Sequence, residues 1–347
     1  MTTARTTVAA GDYRASMTVT YARLGGGVEE GMGGDRGARV VLNYGEHGRE
    51  FVPVDAAIAF LDALADGEDA VMRLVRGRGN GADETKTRET LRRTTFAVVA
   101  MENERGRALV EGGDLCERKN GRGVDPNRNW GVDWGKKAPD YDPKEEFPGE
   151  RAFSEPESRM LRELVKNFKP HAFVNWHSGM EAILTPYDHV AKQPTGTRAQ
   201  VMNALARAVN EAHCGGRCVL GSGGEGVGYL AHGTATDYIY EKMNVPIVFT
   251  WEVYGDTAAP YEDCFRAFNP TTPEAYKSVV DAWAGAPVTL ASMLDMYPDV
   301  KRALKSDVPG ALSPPLGDNI SLAVPFVSFV AVGALVLRRR RFRRSTL

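Results

Sequence analysis

A chain of 347 residues with 43% apolar residues is long enough to bury a large core, and its length leaves one or two domains open. Its 43 Lys and Arg residues nearly balance its 45 Asp and Glu residues. No overall field of one sign therefore favours nucleic acid or an acidic surface, and we expect no nucleic-acid partner. The four cysteines are too few for a disulfide scaffold but leave room for one or two disulfides.

The first 38 residues are predicted to be a poorly structured or truncated N-terminal segment. They are rich in Gly, Thr and Arg, and the stretch from Gly25 to Gly34 is typical of a loop. Residues 1–20 contain no apolar run of the length that an export signal needs. The packed domain is predicted to begin at Arg39 and to extend to residue 300.

From Arg39 onward, short β-branched runs alternate with amphipathic helical patterns, which predicts an α/β domain with a largely parallel sheet. Four runs are typical of buried strands, and four segments carry apolar residues at the spacing of helices that cover a sheet. The predicted strands are 39–44, 95–101, 171–176 and 246–251, and the predicted helices are 55–64, 155–168, 198–213 and 273–283.

The C-terminal part of the chain predicts a membrane anchor. Residues 301–319 include a Pro, Gly and Asp rich stretch and are predicted to be a stalk. Residues 320–337 form an uncharged apolar run of 18 residues, which as a helix spans about 27 Å and predicts a transmembrane helix. Six arginines follow among residues 338–344, so residues 338–347 are predicted to be a basic cytoplasmic tail.

This topology puts the packed domain on the lumenal or extracellular side of a membrane that the chain crosses once. The missing export signal disagrees with that topology. Either the sequence starts downstream of the true N-terminus, which we favour, or the apolar run inserts as a tail anchor and leaves the domain on the cytoplasmic face.

A metal site is suggested by residues at the ends of two predicted strands. His47 and Glu50 follow the first strand, and their H-x-x-E spacing lets an imidazole nitrogen and a carboxylate oxygen converge on one metal. Alone this pair is a weak signal, and a solvated turn is the more usual interpretation of it. His177 ends another predicted strand and supplies a third ligand. Two nitrogens and one carboxylate with an open fourth position form a catalytic zinc site of the hydrolytic type.

The chain resembles the zinc metallocarboxypeptidases of the carboxypeptidase A type, through six motifs in the family order across about residues 39–290. The motifs are HGRE at 47–50, CERKN at 116–120, GVDPNRNW at 123–130, HSG at 177–179, GYLAHGTATDY at 228–238 and FTWE at 249–252. The resemblance implies a single domain with a mixed, mostly parallel eight-stranded sheet flanked by helices. It also implies one Zn²⁺ per chain, bound at strand ends.

The resemblance implies the following catalytic roles. The zinc ligands are His47, Glu50 and His177. Glu252 matches the base that takes a proton from the attacking water and later passes one to the leaving amine. Arg118 matches the arginine that polarises the scissile carbonyl and stabilises the developing oxyanion. Asp125 matches a carboxylate that orients the first histidine ligand.

Other matching residues are implied to bind the substrate. Asn127 and Arg128 match the pair that binds the free C-terminal carboxylate, whose two oxygens suit a guanidinium fork. This pair makes such an enzyme an exopeptidase. Tyr229 matches the mobile tyrosine that closes over the bound C-terminal residue, and Arg49 matches an arginine that contacts the substrate farther from its end.

Two residues bear on the preferred substrate. Thr236 matches the position that faces the bottom of the pocket for the terminal side chain. Asp188 lies where a regulatory branch of the family keeps an aspartate that pairs with Lys or Arg at the substrate terminus. We therefore hypothesise a preference for basic C-terminal residues.

The main interpretation is a membrane-tethered metallocarboxypeptidase that hydrolyses the C-terminal peptide bond of peptides or proteins. One alternative is an inactive carboxypeptidase-like binding protein, whose mark would be loss of Glu252 or of a metal ligand, and no such loss is seen. The other is a zinc acylase or amidase that acts on small amino-acid conjugates. Asn127, Arg128 and Tyr229 argue against it.

Overall fold

The computed structural model describes residues 1–25, 37–78, 83–139, 141–294 and 296–297. The predicted stalk, the predicted transmembrane helix at 320–337 and the basic tail lie outside these residues. Among the residues that are described, no helix has both the length and the apolar character needed to cross a membrane.

Eight strands form one sheet in the described part of the chain. They are β1 (Thr2–Ala10), β2 (Tyr13–Ala22), β3 (Arg39–Tyr44), β4 (Thr95–Val99), β5 (Ala172–His177), β6 (Met180–Thr185), β7 (Val219–Ser222) and β8 (Ile247–Tyr254). Their order across the sheet is β1-β2-β4-β3-β5-β8-β6-β7. The central strands β4, β3, β5 and β8 run parallel, whereas β2 and β6 pair antiparallel with them. The predicted mixed eight-stranded sheet is confirmed.

Helices cover both faces of this sheet. They are α1 (Phe51–Asp66), α2 (Glu68–Arg73), α3 (Glu84–Arg93), α4 (Glu104–Glu111), α5 (Pro143–Glu146), α6 (Pro156–Phe168), α7 (Thr197–Val209), α8 (Gly223–Gly226), α9 (Ala235–Glu241), α10 (Cys264–Phe268), α11 (Pro273–Trp283) and α12 (Ala286–Leu294). Side chains alternate along β3, so that Val40 and Leu42 pack with α1, α7 and α12 while Val41 packs with α6 and α9. A sheet buried on both faces explains the continuous apolar runs of its strands.

The N-terminal segment differs from its prediction. Residues 1–38 were predicted to be poorly structured or truncated, but residues 2–22 form the β1–β2 hairpin. Strand β2 pairs with β4 through Thr20, Tyr21 and Ala22. The physical reason is that Met17 and Val19 alternate with threonines along β2, and their side chains are buried in the core. Threonine favours strands, and a period of two is enough to bury one face. The ordered fold therefore begins before Arg39.

All four cysteines form disulfides. Cys116 bonds to Cys264, which ties the loop after α4 to the start of α10, and Cys214 bonds to Cys218. The first of these bonds lies two residues from Arg118 in sequence. The loop that carries this arginine is therefore covalently attached to the start of α10.

Candidate active site

The candidate site lies where three parallel strands end. His47 follows β3, His177 is the last residue of β5, and Glu252 lies in β8 directly opposite His177 in register. From β3 the chain continues through α1 to β4 on one side, whereas β5 pairs with β3 on the other side. Such a reversal of strand order opens a crevice at the carboxyl ends of the strands, where ligands bind in α/β proteins.

The three predicted metal ligands converge. His47 Nδ1 lies 2.7 Å from Glu50 Oε1, and His177 Nδ1 lies 3.0 Å from Glu50 Oε2. The two Nδ1 atoms lie 3.1 Å from each other. All three side chains are buried. The sequence spacing and the strand topology therefore bring together the Nδ1 atoms of both imidazoles and the Glu50 carboxylate.

This donor set fits zinc. The ligand atoms of tetrahedral zinc lie about 3.3 Å apart, given bonds of about 2.0–2.1 Å. The three distances observed, 2.7, 3.0 and 3.1 Å, are shorter, so these groups need to separate by only a few tenths of an ångström to surround the ion. Burial alone would raise the pKa of the Glu50 carboxyl, but the imidazoles of His47 and His177 outweigh burial and lower it. A buried carboxylate that stays ionised between two imidazoles is a favourable place for a divalent cation.

A second carboxylate, from Glu46, lies on the other side of His177. Glu46 Oε2 lies 3.2 Å from His177 Nε2 and accepts a hydrogen bond of 2.6 Å from Asn175 Nδ2. Glu46, His47 and His177 lie close enough together to hold a metal ion as well. Glu50, however, faces the Nδ1 atoms of both histidines, whereas Glu46 faces the far nitrogen of His177. We therefore keep Glu50 as the predicted ligand, and Glu46 has the position of a carboxylate that orients a ligand.

Glu46 belongs to a buried polar network beneath the site. Asn43 Nδ2 donates to Glu102 Oε2 at 2.6 Å and to Asn175 Oδ1 at 2.8 Å. Burial and the neighbouring Glu46 carboxylate raise the pKa of Glu102 well above its ordinary value. Asparagines on β3 and β5 thus link two carboxyl groups, one of which holds His177 in place.

Asp125 and Arg118 lie on the other flank of the ligands. Asp125 Oδ1 is 3.3 Å from His47 Nε2, and Asp125 Oδ2 accepts a hydrogen bond of 2.8 Å from Arg118 Nε. Burial would raise the pKa of Asp125, but the Arg118 guanidinium outweighs burial and holds it well below its ordinary value. Arg118 Nη1 reaches to 3.2 Å from His47 Nδ1. Asp125 therefore contacts both the predicted ligand His47 and the Arg118 guanidinium.

Glu252 has the environment of a proton acceptor. Its Oε2 atom is buried and has no hydrogen-bond partner among the described residues. Burial raises the pKa of the Glu252 carboxyl to about 7, despite the nearby His177. A carboxyl whose pKa is near neutrality can both accept a proton and return it.

The predicted carboxylate-binding pair lies next to Asp125, in a short 3₁₀ turn at Pro126–Arg128. Asn127 Oδ1 accepts a hydrogen bond of 2.9 Å from Ala235 N, which fixes the side-chain amide. The buried Arg128 guanidinium donates to Asn127 O at 2.9 Å and to Glu146 Oε1 at 2.8 Å. Burial would lower the pKa of the Arg118 and Arg128 guanidinium groups, but the Asp125 carboxylate outweighs burial and raises both, and Tyr229 lies near enough to interact with each of them.

Asp188 and Thr236, which were predicted to line the pocket for the terminal side chain, are both buried. Thr236 Oγ1 lies 2.6 Å from Thr250 Oγ1, so the two hydroxyls share one hydrogen bond. The backbone N–H of Asp188 donates to the Asp237 carboxylate at 2.9 Å. Burial and the negative charge of Asp237 raise the pKa of the Asp188 carboxyl to about 8.

A comparison with protein families agrees with this geometry. The family model described as zinc carboxypeptidase matches residues 25–283, about three quarters of the chain. The chain belongs to the zinc carboxypeptidase family. The resemblance that the six motifs carried is thereby confirmed, and the family implies zinc as the metal.

Individual relatives of this zinc carboxypeptidase family member are distant. Zinc carboxypeptidase A 1 of Anopheles gambiae is 27% identical over 223 residues, which cover 62% of this chain and 49% of that protein. A protein of Sclerotinia sclerotiorum named inactive metallocarboxypeptidase ecm14 is 25% identical over 59% of this chain and 37% of its own length. This chain spans about half the length of the curated relatives that it matches first.

A solved structure shows the same fold. The crystal structure of carboxypeptidase A from Helicoverpa armigera superposes with a TM-score of 0.62 at 19% sequence identity. The superposition covers 84% of this chain and 70% of that chain. The mixed sheet and flanking helices are therefore those of the carboxypeptidase fold.

Three acidic residues of this family member were not singled out from its sequence. Glu46 directly precedes the first histidine ligand, and this adjacency was a usable signal. Glu145 and Glu146 pair with the two predicted substrate-binding arginines, Arg49 and Arg128. They lie in a stretch with no motif, so nothing in the sequence indicated which arginines they would meet.

Proposed function

We propose that this protein is a zinc-dependent carboxypeptidase that removes one residue from the C-terminus of peptides or proteins. The observation that carries the proposal is the convergence of His47, Glu50 and His177 beside the unpartnered Glu252 oxygen. Arg128, one short turn from the residue that contacts His47, supports a substrate that ends in a carboxylate.

Each side chain has a task that its surroundings support. Bound zinc would supply a Lewis acid that polarises the scissile carbonyl and activates water. Glu252 Oε2 takes the proton of the attacking water and later delivers it to the leaving amine nitrogen. Arg118 donates hydrogen bonds to the oxygen on which negative charge develops, and Asp125 holds the Arg118 guanidinium beside that oxygen.

A chain that binds peptides without cleaving them is the strongest competing function, because one relative is named inactive. We propose turnover instead, since all three ligands and Glu252 are retained. Action on small amino-acid conjugates is the other alternative.

A matched peptide series tests the proposed function and the preferred terminal residue. Peptides that differ only in ending with Arg, Phe or Glu are compared with their C-terminal amides. We expect release of the last residue from the acids and roughly 10- to 100-fold slower release from the amides, because the amides lack the charge that Arg128 meets. Equal rates on acids and amides, or hydrolysis of small acylated amino acids alone, would favour the amidase.

We propose that Asp188 makes the enzyme prefer basic C-terminal residues. Because the pKa of the Asp188 carboxyl is about 8, this group is largely neutral near pH 7 when no ligand is bound. The guanidinium of a bound C-terminal Arg would favour its ionised form, since an opposite charge nearby lowers the pKa of a buried carboxyl. In the same peptide series we expect Asp188→Ala to lower the rate on the Arg peptide at least roughly tenfold while the Phe peptide is little changed. An Arg preference that survives this substitution would exclude Asp188 as its source.

We also propose that residues 320–337 tether the enzyme to a membrane, with the catalytic domain lumenal or extracellular. This proposal is supported by the 18 apolar residues and the arginines that follow them. We expect the full chain to sediment with membranes after alkaline extraction, and a chain ending before Ile320 to stay in the supernatant. Protease should spare the domain in sealed vesicles. Digestion there would instead indicate a tail anchor with the domain on the cytoplasmic face.

A further inference from the structure

The turn that precedes Phe147 carries two carboxylates into the candidate substrate cleft. This acidic turn, residues 142–146, contains α5, none of whose four residues is buried. Asp142 caps it by accepting a hydrogen bond of 2.9 Å from Lys144 N. A surface turn without an apolar anchor is held to the protein by its polar contacts, so these contacts determine where it sits.

The first of these contacts involves the residue that we expect to bind the substrate carboxylate. Glu146 Oε1 accepts a hydrogen bond of 2.8 Å from Arg128 Nη2, and both side chains are largely withdrawn from solvent, with 17% and 8% exposure. The pair borders a small cavity lined in part by Tyr141, Leu230 and His232. A carboxylate of the chain itself is therefore paired with the Arg128 guanidinium at the edge of this small cavity.

A second pair repeats this arrangement farther along the cleft. Glu145 receives two hydrogen bonds from the Arg49 guanidinium, at 2.7 and 3.2 Å. Burial would raise the pKa of Glu145, but the positive charges of Arg49 and Arg118 outweigh burial and lower it. Lys119 Nζ also donates to the carbonyl oxygen of Lys144. Cationic side chains of the cleft thus hold the acidic turn in place.

The chain after this turn is fixed, which leaves the Glu146 side chain as the part that can move. Phe147 O accepts a hydrogen bond of 2.8 Å from Asp125 N, and Pro148 O accepts one of 2.8 Å from Asn129 Nδ2. A change of rotamer at Glu146 is therefore enough to free Arg128 Nη2, without displacement of the segment that follows.

We propose that Glu146 is a specificity-determining residue, an internal carboxylate that a substrate's terminal carboxylate has to displace from Arg128. This inference rests on the proposed function of Arg128. A ligand that offers only a carboxylate exchanges one ion pair for another and gains little. A peptide that also fills the neighbouring subsites gains enough to displace Glu146. The internal pair thereby weakens the binding of short acids and free amino acids relative to longer chains.

The test compares the zinc-loaded full chain with its Glu146→Gln variant. Glutamine keeps the shape of the side chain but removes its charge. For an N-acylated dipeptide with a free carboxylate we expect KM to fall roughly 3- to 10-fold, with kcat unchanged within about twofold. Glu150→Gln is the matched control, because Glu150 is exposed in the same loop and makes no ion pair among the described residues. Its KM should equal that of the wild type.

An unchanged or higher KM in Glu146→Gln, with normal zinc content and melting temperature, would overturn the inference. A direct binding measurement separates this failure from failure of the proposed function. In a Glu252→Gln background, calorimetry gives the Kd of the dipeptide acid and of its amide. Tighter acid binding in Glu146→Gln supports the inference. An acid preference that this substitution leaves unchanged overturns the inference alone, whereas no acid preference in either protein overturns both proposals.

Discussion

Glu252→Gln is expected to lower kcat by roughly 10²- to 10⁴-fold, the range that loss of a general base produces, while one zinc per chain stays bound. The amide has nearly the size of the carboxyl but accepts no proton. The buried, unpartnered Oε2 atom of Glu252 and its pKa of about 7 are the reasons for assigning it this task. Turnover and zinc content are measured on the same preparation.

A matched glutamate controls for the chemistry of the substitution. Glu163 lies on α6, its side chain is 47% exposed, and it pairs with Lys166 one turn away. Glu163→Gln should leave kcat and KM unchanged. If Glu252→Gln retained wild-type turnover with the same zinc content, Glu252 would not be the base.

Loss of a metal ligand should remove zinc and activity together. We expect His177→Ala and Glu50→Gln to reduce bound zinc from about one per chain to a small fraction at micromolar zinc, because each leaves two protein ligands where a catalytic zinc site has three. Zinc is measured by atomic absorption after dialysis. Both variants should also melt at a lower temperature than the zinc-loaded wild type, since binding to the folded state stabilises it.

Glu46→Gln distinguishes the two carboxylates that contact His177. If Glu46 only orients the ring through Nε2, this variant should still bind one zinc at saturation, with affinity lowered roughly 10- to 100-fold. Competition with a chelator of known affinity measures the shift. The opposite order of effects, with Glu46→Gln losing zinc and Glu50→Gln retaining it, would identify Glu46 as the ligand.

Much of the centre of the fold could be predicted from the sequence, because its strands and helices are encoded by short apolar patterns of neighbouring residues. Strands β3, β5 and β8 are continuous apolar runs, since helices cover both faces of the sheet. Parallel neighbours end at the same edge, so His47 and His177 were expected near each other once their strands were recognised. The structure brings their Nδ1 atoms to 3.1 Å.

The N-terminal hairpin was not predicted, because the residue composition of this segment indicates a loop whereas the alternation of its residues indicates a strand. The high content of glycine and threonine around β1 and β2 is typical of loops. The order of the residues predicts a strand instead, because every second residue of β2 from Ala15 to Tyr21 is buried. Glu145 and Glu146 could not have been assigned for a different reason. An ion pair between residues 18 positions apart, such as Arg128 and Glu146, depends on the path of the intervening loop, which no periodic signal specifies.

The pairing of β5 with β8 places Glu252 opposite His177, and the preceding residue pair places Trp176 opposite Trp251. The two indoles point to the other face of the sheet, where they are fully buried with their ring centres 4.7 Å apart. A slip of one residue would drive an indole into the cleft and a carboxylate into the core, which no part of the fold would tolerate. The spacing between the proposed metal ligand His177 and the proposed base Glu252 is thus fixed by bulky side chains on the opposite face of the sheet. Substitutions in the surrounding loops can then change which peptides bind, while the relative positions of His177 and Glu252 stay the same.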